Sequence, residues 1–153
     1  MSGVGALSVG RRALEEVTLS HTFFEDWFAG RVNGSALAAR LEAFSPDFIR
    51  IAPDGRTVAF ADLRDFLSER RSEESGAVFS IHIAEGAVVW ETVEVALVSY
   101  VEEQSSHGVF SRRRSTALFV AAPNAPLGVQ WRHLQETMID PPQPGGNRPR
   151  PNP

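Results

Sequence analysis

The chain has 153 residues, of which 42% are hydrophobic and 22% charged, with a formal net charge of −4. These values are typical of one compact domain. The acidic balance argues against nucleic-acid binding, which needs a basic surface. No apolar run approaches the roughly 20 residues of a membrane span, so we expect no membrane partner. The absence of cysteine excludes disulfides and thiolate chemistry, and the absence of a signal-peptide pattern favours a cytoplasmic protein.

Three helices are predicted in the first half of the chain. Residues 12–30 place apolar side chains and one histidine on a single helical face: Leu14, Val17, His21, Phe24 and Phe28. A second, short helix can begin at Ser35 and must end by Pro46, because proline disfavours helical geometry in the residue before it. A third helix is predicted after Asp62, which we expect to cap it.

Strands dominate the rest of the sequence. Two short strands, residues 48–51 and 57–60, flank the turn formed by Pro53, Asp54 and Gly55. From residue 79 the period changes to two, which predicts long strands at residues 79–84, 93–104, 109–122 and 129–139. Residues 140–153 are proline-rich and predicted to be disordered, and residues 1–11 are predicted to be a flexible N-terminus. Helices followed by strands predict an α+β fold with an antiparallel sheet.

Two segments carry a family resemblance. They are FSPDFIRIAPDGRTVAFADLRDFL (residues 44–67) and RRRSTALFVAAPNAPLGVQWRHLQETMI (residues 112–139). Their order and spacing resemble the nuclear transport factor 2-like superfamily, which includes ketosteroid isomerase and SnoaL-like cyclases. The resemblance implies a cone-shaped barrel over residues 12–139. In that fold a strongly curved antiparallel sheet wraps around the N-terminal helix, two further short helices are present, and a pocket lies at the mouth.

The sequence departs from the isomerase pattern at both signature positions. Ala52, ahead of Pro53, stands where the isomerase has its catalytic aspartate, and alanine cannot accept a proton. The nearby Asp54 lies in a turn that favours aspartate for backbone reasons. The only tyrosine, Tyr100, lies on a predicted strand rather than on the first helix. We therefore expect no steroid isomerisation.

Two histidines are the candidate catalytic residues. His21 lies on the apolar face of the first helix, where it either meets a buried acceptor or lines the pocket as an acid or base. His133 lies on the last strand, which has two mixed faces. Trp131, His133, Gln135 and Thr137 form one face, and Arg132, Leu134, Glu136 and Met138 form the other. Either face could point into the pocket.

Six residues are candidates for ligand binding: Trp27, Arg50, Tyr100, Arg114, Trp131 and Gln135. Arg50 points inward if Phe48 does, and would then need an acidic partner; otherwise it lies on the convex face. The related hub domain of calcium/calmodulin-dependent kinase has an arginine-lined pocket. In the predicted hairpin Glu103 faces Arg112 and Glu102 faces Arg113, which is ordinary sheet stabilisation.

Three functions remain open at this stage. The first is a homodimeric domain that binds an unidentified acidic or apolar small molecule. The second is an acid/base enzyme of the cyclase, dehydratase or isomerase type. The third is a homo-oligomeric assembly module that uses the outer face of the sheet. No cofactor is implied, and the spacing of His21, His82, His107 and His133 indicates no metal site.

Overall fold

The computed structural model describes residues 7–70, 79–106 and 108–139. The predicted proline-rich tail, His107 and the first six residues lie outside this range. The elements follow in chain order: α1 (Val9–Phe28), α2 (Ala36–Leu41), β1 (Phe44–Ile51), β2 (Thr57–Ala59), α3 (Phe60–Glu69), β3 (Phe79–Glu91), β4 (Val95–Ser106), β5 (Val109–Ala121) and β6 (Val129–Ile139). No helix in the described part of the chain is long and apolar enough to cross a membrane.

The six strands form one curved sheet in the order β2-β1-β6-β5-β4-β3. The α+β architecture is confirmed, with two corrections. The sheet is mixed, because β1 pairs parallel with β6, and it does not close into a barrel. Register shifts interrupt β3 at two places and also the β5–β6 pairing. Such bulges bend a strand and increase its twist, and they give the sheet its concave face.

Helix α1 occupies that concave face and contacts β3, β4, β5 and β6. It begins at Val9, ahead of the predicted start, because the side chain of Ser8 accepts a hydrogen bond from the backbone N–H of Arg11 at 3.2 Å. Val17 and His21 on the predicted stripe are buried, and the other stripe residues pack partly buried against the core. The predicted inward face of the first helix is therefore confirmed.

The start of β1 and the cap of α3 differ from the sequence prediction, and local contacts explain both differences. Strand β1 begins at Phe44, not Phe48, and it includes Pro46. The proline is tolerated because the β1–β6 register shifts between Phe44 and Ile49, where the ladder is interrupted. Helix α3 begins at Phe60, and Asp62 is not its cap. The Asp62 carboxylate instead accepts a hydrogen bond from the backbone N–H of Ala59 at 3.1 Å.

The hairpins agree with the sequence. The β4–β5 register pairs Glu103 with Arg112 and Glu102 with Arg113, as predicted. In the β1–β2 turn Gly55 has φ of 87°, and the Asp54 carboxylate accepts a hydrogen bond from the backbone N–H of Arg56 at 2.9 Å. Asp54 therefore has the backbone role that its position in the turn indicated.

Candidate functional site

A cavity of about 550 Å³ lies between α1, α3 and the concave face of the sheet. Its wall is largely aromatic, with seven rings from five elements: Phe24, Phe28, Phe44, Phe48, Phe66, Phe79 and Trp131. Phe66 and Arg70 are exposed, so they mark the side that opens to solvent. The volume and the apolar lining fit a small organic molecule.

Five charged side chains line the cavity deeper inside, and we call them the charged cluster: His21, Arg50, Glu102, Arg113 and Glu136. His21 Nε2 lies 2.5 Å from Glu102 Oε1, and Arg50 Nε lies 2.5 Å from Glu136 Oε1. Arg113 lies between the two carboxylates, with Nε 3.7 Å from Glu102 Oε2 and Nη1 3.4 Å from Glu136 Oε2. The cluster is a chain of alternating charge drawn from α1, β4, β5, β6 and β1.

His21 is held at both ring nitrogens. Its side chain faces the carbonyl oxygen of Val17, 2.7 Å from Nδ1, as well as Glu102. Burial alone would lower the pKa of His21. The hydrogen bond and charge of Glu102, together with the Val17 carbonyl, outweigh burial and raise the pKa above its ordinary value of 6.5. Because both partners are acceptors, the site favours the imidazolium, which donates from both nitrogens.

Glu102 is the complementary half of this pair. Burial would raise the pKa of its carboxyl, but the hydrogen bond and charge of His21 and the nearby Arg113 lower it to about 2. Gln104 also donates a hydrogen bond to Glu102 from its side-chain amide. Glu102 is therefore an ionised carboxylate and a weak base at neutral pH.

Arg113 is the least committed cation of the charged cluster. Its side chain is only 15% exposed, yet Nε has no hydrogen-bond partner within the described residues. Each carboxylate beside it has a closer partner of its own. With His21 protonated the charged cluster has three positive and two negative groups, so it carries one positive charge in excess.

The aromatic wall is tied to a second buried group of charges. The indole Nε1 of Trp131 donates to Glu16 Oε2 at 3.2 Å. Glu16 also accepts from the Ser20 hydroxyl and from Arg40 on α2. Burial raises the pKa of Glu16 above 4.5, although these three partners act in the opposite direction. The hydrogen bond from its indole N–H to the buried Glu16 thus fixes Trp131 in the cavity wall.

Three of the residues predicted from sequence meet at the cavity: His21, which is 7% exposed, Arg50 and Trp131. The open question about Arg50 is answered by its inward position beside Glu136. Trp27 lies elsewhere, buried between α1 and α3, and its Nε1 donates to the carbonyl oxygen of Leu67 at 2.8 Å. Tyr100 is fully buried behind His21, with ring centroids 5.7 Å apart, and does not line the cavity.

The other three predicted residues lie on the outer face of the sheet. The β5–β6 register shifts between Leu118 and Phe119, so that Leu118 pairs with His133 while Phe119 pairs with Trp131. Arg132 is the extra residue, and it inverts the alternation of β6. His133 and Gln135 consequently point away from the Trp131 face, and Leu134 and Glu136 share it. Arg114 is also outside, where its Nη2 lies 3.8 Å from Glu85 Oε1.

The sequence interpretation missed Glu102, Arg113 and Glu136 as cavity residues. It had assigned Glu102 and Arg113 to ordinary cross-strand pairing. It had placed Glu136 and Trp131 on different faces of the last strand. The available signal was the alternation of β4, where Val98, Tyr100 and Glu102 share one face with apolar neighbours. Within the described residues no group of histidine and carboxylate side chains could hold a metal ion.

Known proteins of similar structure have the same fold as this chain. No family model matches the sequence, and no curated protein matches it significantly. An NTF2-like protein of unknown function from Pseudomonas aeruginosa is similar in structure, with 27% identity, a TM-score of 0.75, and coverage of 84% of this chain and 99% of that chain.

Two more distant structures show the fold alone. The hub of the calcium/calmodulin-dependent kinase from S. rosetta has 14% identity, a TM-score of 0.65, and coverage of 88% of this chain and 99% of that chain. An NTF2-like protein from Cytophaga hutchinsonii has 12% identity, a TM-score of 0.61, and coverage of 87% and 100%. The helix inside a curved six-stranded sheet and the match to the Pseudomonas aeruginosa protein lead to one assignment: the chain is a domain of the nuclear transport factor 2-like superfamily.

Proposed function

We propose that the domain binds a small amphipathic molecule with an apolar body and one acidic group. The observation that carries this proposal is the combination of an aromatic cavity of about 550 Å³ with the charged cluster inside it. Aromatic rings favour an apolar body through burial and ring contacts. The excess positive charge and the Nε donor of Arg113, which has no hydrogen-bond partner among the described residues, favour an acidic group.

Charge balance supports a ligand with a single negative charge. Each carboxylate of the charged cluster is already within 2.5 Å of a cation. A monoanion beside Arg113 would bring the net charge of the cluster to zero and supply an acceptor for its Nε. A cationic ligand would add to the existing positive excess in a poorly hydrated space, where an unbalanced charge is costly.

The same geometry favours binding over acid/base catalysis. A catalytic histidine must have a ring nitrogen within hydrogen-bond reach of its substrate. Both nitrogens of His21 are occupied, by Val17 and Glu102. Glu102, which does face the cavity, is a poor base because its pKa is lowered to about 2. His133, the other catalytic candidate, is absent from the cavity lining.

Two fluorescent probes of similar shape test the proposal. Anilinonaphthalene sulfonate carries one negative charge, and N-phenylnaphthylamine lacks it. We expect the sulfonate to bind more tightly, and Arg113→Met to weaken only the sulfonate, by about tenfold or more, since a hydrogen bond to a charged group contributes about 1.5–3 kcal/mol. Arg114→Met removes an adjacent, outward-facing arginine and is the matched control.

Two results would refute the proposal. The first is equal affinity for the two probes in the wild-type domain. The second is an equal loss of sulfonate binding in Arg113→Met and Arg114→Met, which would locate the sulfonate on the outer surface. Circular dichroism of each variant verifies that the fold is intact.

We also propose that the domain forms a homodimer through the outer face of the sheet. An apolar patch, which we call the outer patch, crosses three neighbouring strands there. It consists of Trp90, Val95, Leu97, Leu118 and Val120, with Trp90 57% exposed. Trp90 is exposed and the other four side chains are partly exposed, and a contiguous apolar patch of this kind is typical of a protein–protein interface.

Solution mass tests the dimer. We expect light scattering to give twice the 16.8 kDa of one chain, and Leu97→Glu to return the monomer mass. Leu19→Glu introduces the same charge at an exposed leucine of α1, away from the sheet, and should leave the dimer intact. A wild-type monomer at concentrations of about 0.1 mM would contradict this proposal.

A further inference from the structure

We propose that His21 determines whether the cavity accepts an anion: as the imidazolium it holds Glu102 and leaves Arg113 available for the acidic group of the ligand. As a neutral ring it no longer balances the charge of Glu102, and Arg113 takes over that role. This inference rests on the proposed binding function and names its selectivity switch. His21 acts through Glu102 and is a positioning residue, since it need not touch the ligand.

The position of Glu102 between two cations is the basis for the proposal. Glu102 Oε1 lies 2.5 Å from His21 Nε2, whereas Glu102 Oε2 lies 3.7 Å from Arg113 Nε. The carboxylate is thus committed to His21, and the contact with Arg113 is too long for a hydrogen bond. The buried Nε of Arg113 is left without a hydrogen-bond partner among the described residues.

Removing one proton from His21 changes this arrangement through charge. The Val17 carbonyl and the Glu102 carboxylate can both only accept, so a neutral ring donates to one of them and presents a lone pair to the other, across 2.7 Å at Nδ1 or 2.5 Å at Nε2. In either tautomer Glu102 loses the positive charge of its closest partner. Arg113 is then the nearest cation that can balance the charge of Glu102.

Loss of that proton weakens the binding of an anion in the cavity in two ways. The net charge of the charged cluster falls from one positive charge to zero. Arg113, the cation that would hold the acidic group, becomes the nearest cation to the charge of Glu102 and is less available to an anion. Thermodynamic linkage requires the reverse effect as well, so an anion bound at Arg113 must favour protonation of His21 by the same factor.

Other ionisable groups face His21 or its partners from every neighbouring element. They are Glu16 on α1, Arg40 on α2, Arg70 at the end of α3, Arg50 on β1, Tyr100 and Glu102 on β4, Arg113 on β5 and Glu136 on β6. The arginines stay charged throughout. Burial raises the pKa of Tyr100 well above 10, and Glu16 pairs with Arg40 outside the charged cluster. His21 is therefore the group expected to titrate across neutral pH.

The pH dependence of probe affinity tests the inference. Sulfonate and neutral-probe dissociation constants are measured from about pH 5.5 to about pH 9, a range that spans histidine titration while the sulfonate remains ionised. We expect sulfonate affinity to fall about tenfold or more as the pH rises through the pKa of His21, and neutral-probe affinity to stay constant. In His21→Gln the sulfonate profile should be flat, while His82→Gln, at an exposed histidine, should keep the wild-type profile.

A direct titration avoids dependence on any variant. The ring resonances of His21 are followed by NMR with and without the sulfonate, and the midpoint should move to higher pH when the sulfonate is bound. An unchanged midpoint, or a wild-type sulfonate affinity that is flat with pH, overturns the inference. A fall with pH that survives in His21→Gln overturns it equally.

The two proposals fail in different ways. A sulfonate that binds through Arg113 equally well at every pH refutes only the role of His21 and leaves the binding function standing. A sulfonate that never binds better than the neutral probe refutes the binding function and the inference together.

Discussion

Replacing Arg40 with methionine is expected to destabilise the domain strongly, because it leaves Glu16 in the core without its counter-ion. The Arg40 side chain is almost fully buried, and that of Glu16 has no exposed surface. Removing one partner of such a pair costs about 3–5 kcal/mol. For a domain of this size each kcal/mol corresponds to about 2–4 °C, so the melting temperature should fall by about 6–20 °C.

The loss should depend on pH in a defined direction. Burial already raises the pKa of Glu16 above its ordinary 4.5, against the influence of Ser20, Arg40 and Trp131. Without Arg40 one of these opposing influences disappears. A carboxyl with a raised pKa in the folded state destabilises the fold when it is ionised and ceases to do so when it is protonated. The deficit of Arg40→Met should therefore be largest near pH 8 and shrink as the pH falls toward 5.

A second substitution should restore stability. In Glu16→Gln/Arg40→Met no charge remains, and the glutamine side-chain oxygen can still accept from the Trp131 indole and the Ser20 hydroxyl. Buried ion pairs are often replaced by neutral side chains without loss. Arg64→Met, which removes an exposed arginine 3.4 Å from Asp65, is the control and should change stability by less than about 0.5 kcal/mol.

Urea unfolding of the four proteins at about pH 5 and about pH 8 provides the measurement. The reasoning fails if Arg40→Met lies within about 1 kcal/mol of the wild type at the higher pH. It also fails if the deficit is the same at both values, because Glu16 would then not be the group responsible.

Two further outcomes follow from the site and the turn. The stabilisation from the His21–Glu102 pair, measured as the difference between wild type and His21→Gln/Glu102→Gln, should be complete between pH 4.5 and 6.5. It should be lost as the pH falls toward 2, where the lowered pKa of Glu102 lies, and as it rises through the raised pKa of His21; a difference constant with pH would refute this. Gly55→Ala should cost about 1–2 kcal/mol in unfolding free energy, because φ of 87° strains an L-residue although no atom lies within 4 Å of the added carbon. Gly55→Asn should cost less, since asparagine tolerates this region, and equal losses would contradict the explanation.

Local periodicity was sufficient to predict much of this fold. The stripe from Leu14 to Phe28 identified the buried side of α1, because residues three and four positions apart lie on the same face of a helix. The hairpin predicted between the strands at residues 93–104 and 109–122 gave the pairing of Glu102 with Arg113, because a hairpin fixes register through the length of its loop. Both features depend on residues near one another in sequence.

The errors came from features that alternation cannot encode. The extra residue Arg132 inverts the alternation of inward and outward side chains along β6. As a result His133 points outward and Glu136 points into the cavity. The alternation of polar and apolar side chains is weak on both faces of that strand, and it therefore gave no warning of the bulge. The parallel pairing of β1 with β6 joins segments separated by most of the chain, and nothing in either segment specifies it.

The charged cluster could not be predicted as a unit because its five members come from five elements that meet only through the curvature of the sheet. Its presence is nevertheless informative about function. Buried ion pairs contribute little to stability compared with well-packed apolar side chains. A core with only a structural role could fill the same space with leucine or phenylalanine. Here the space is open, its aromatic wall is fixed by Trp131, and Arg113 retains an unused donor. These three properties favour the proposed ligand binding over a purely structural role.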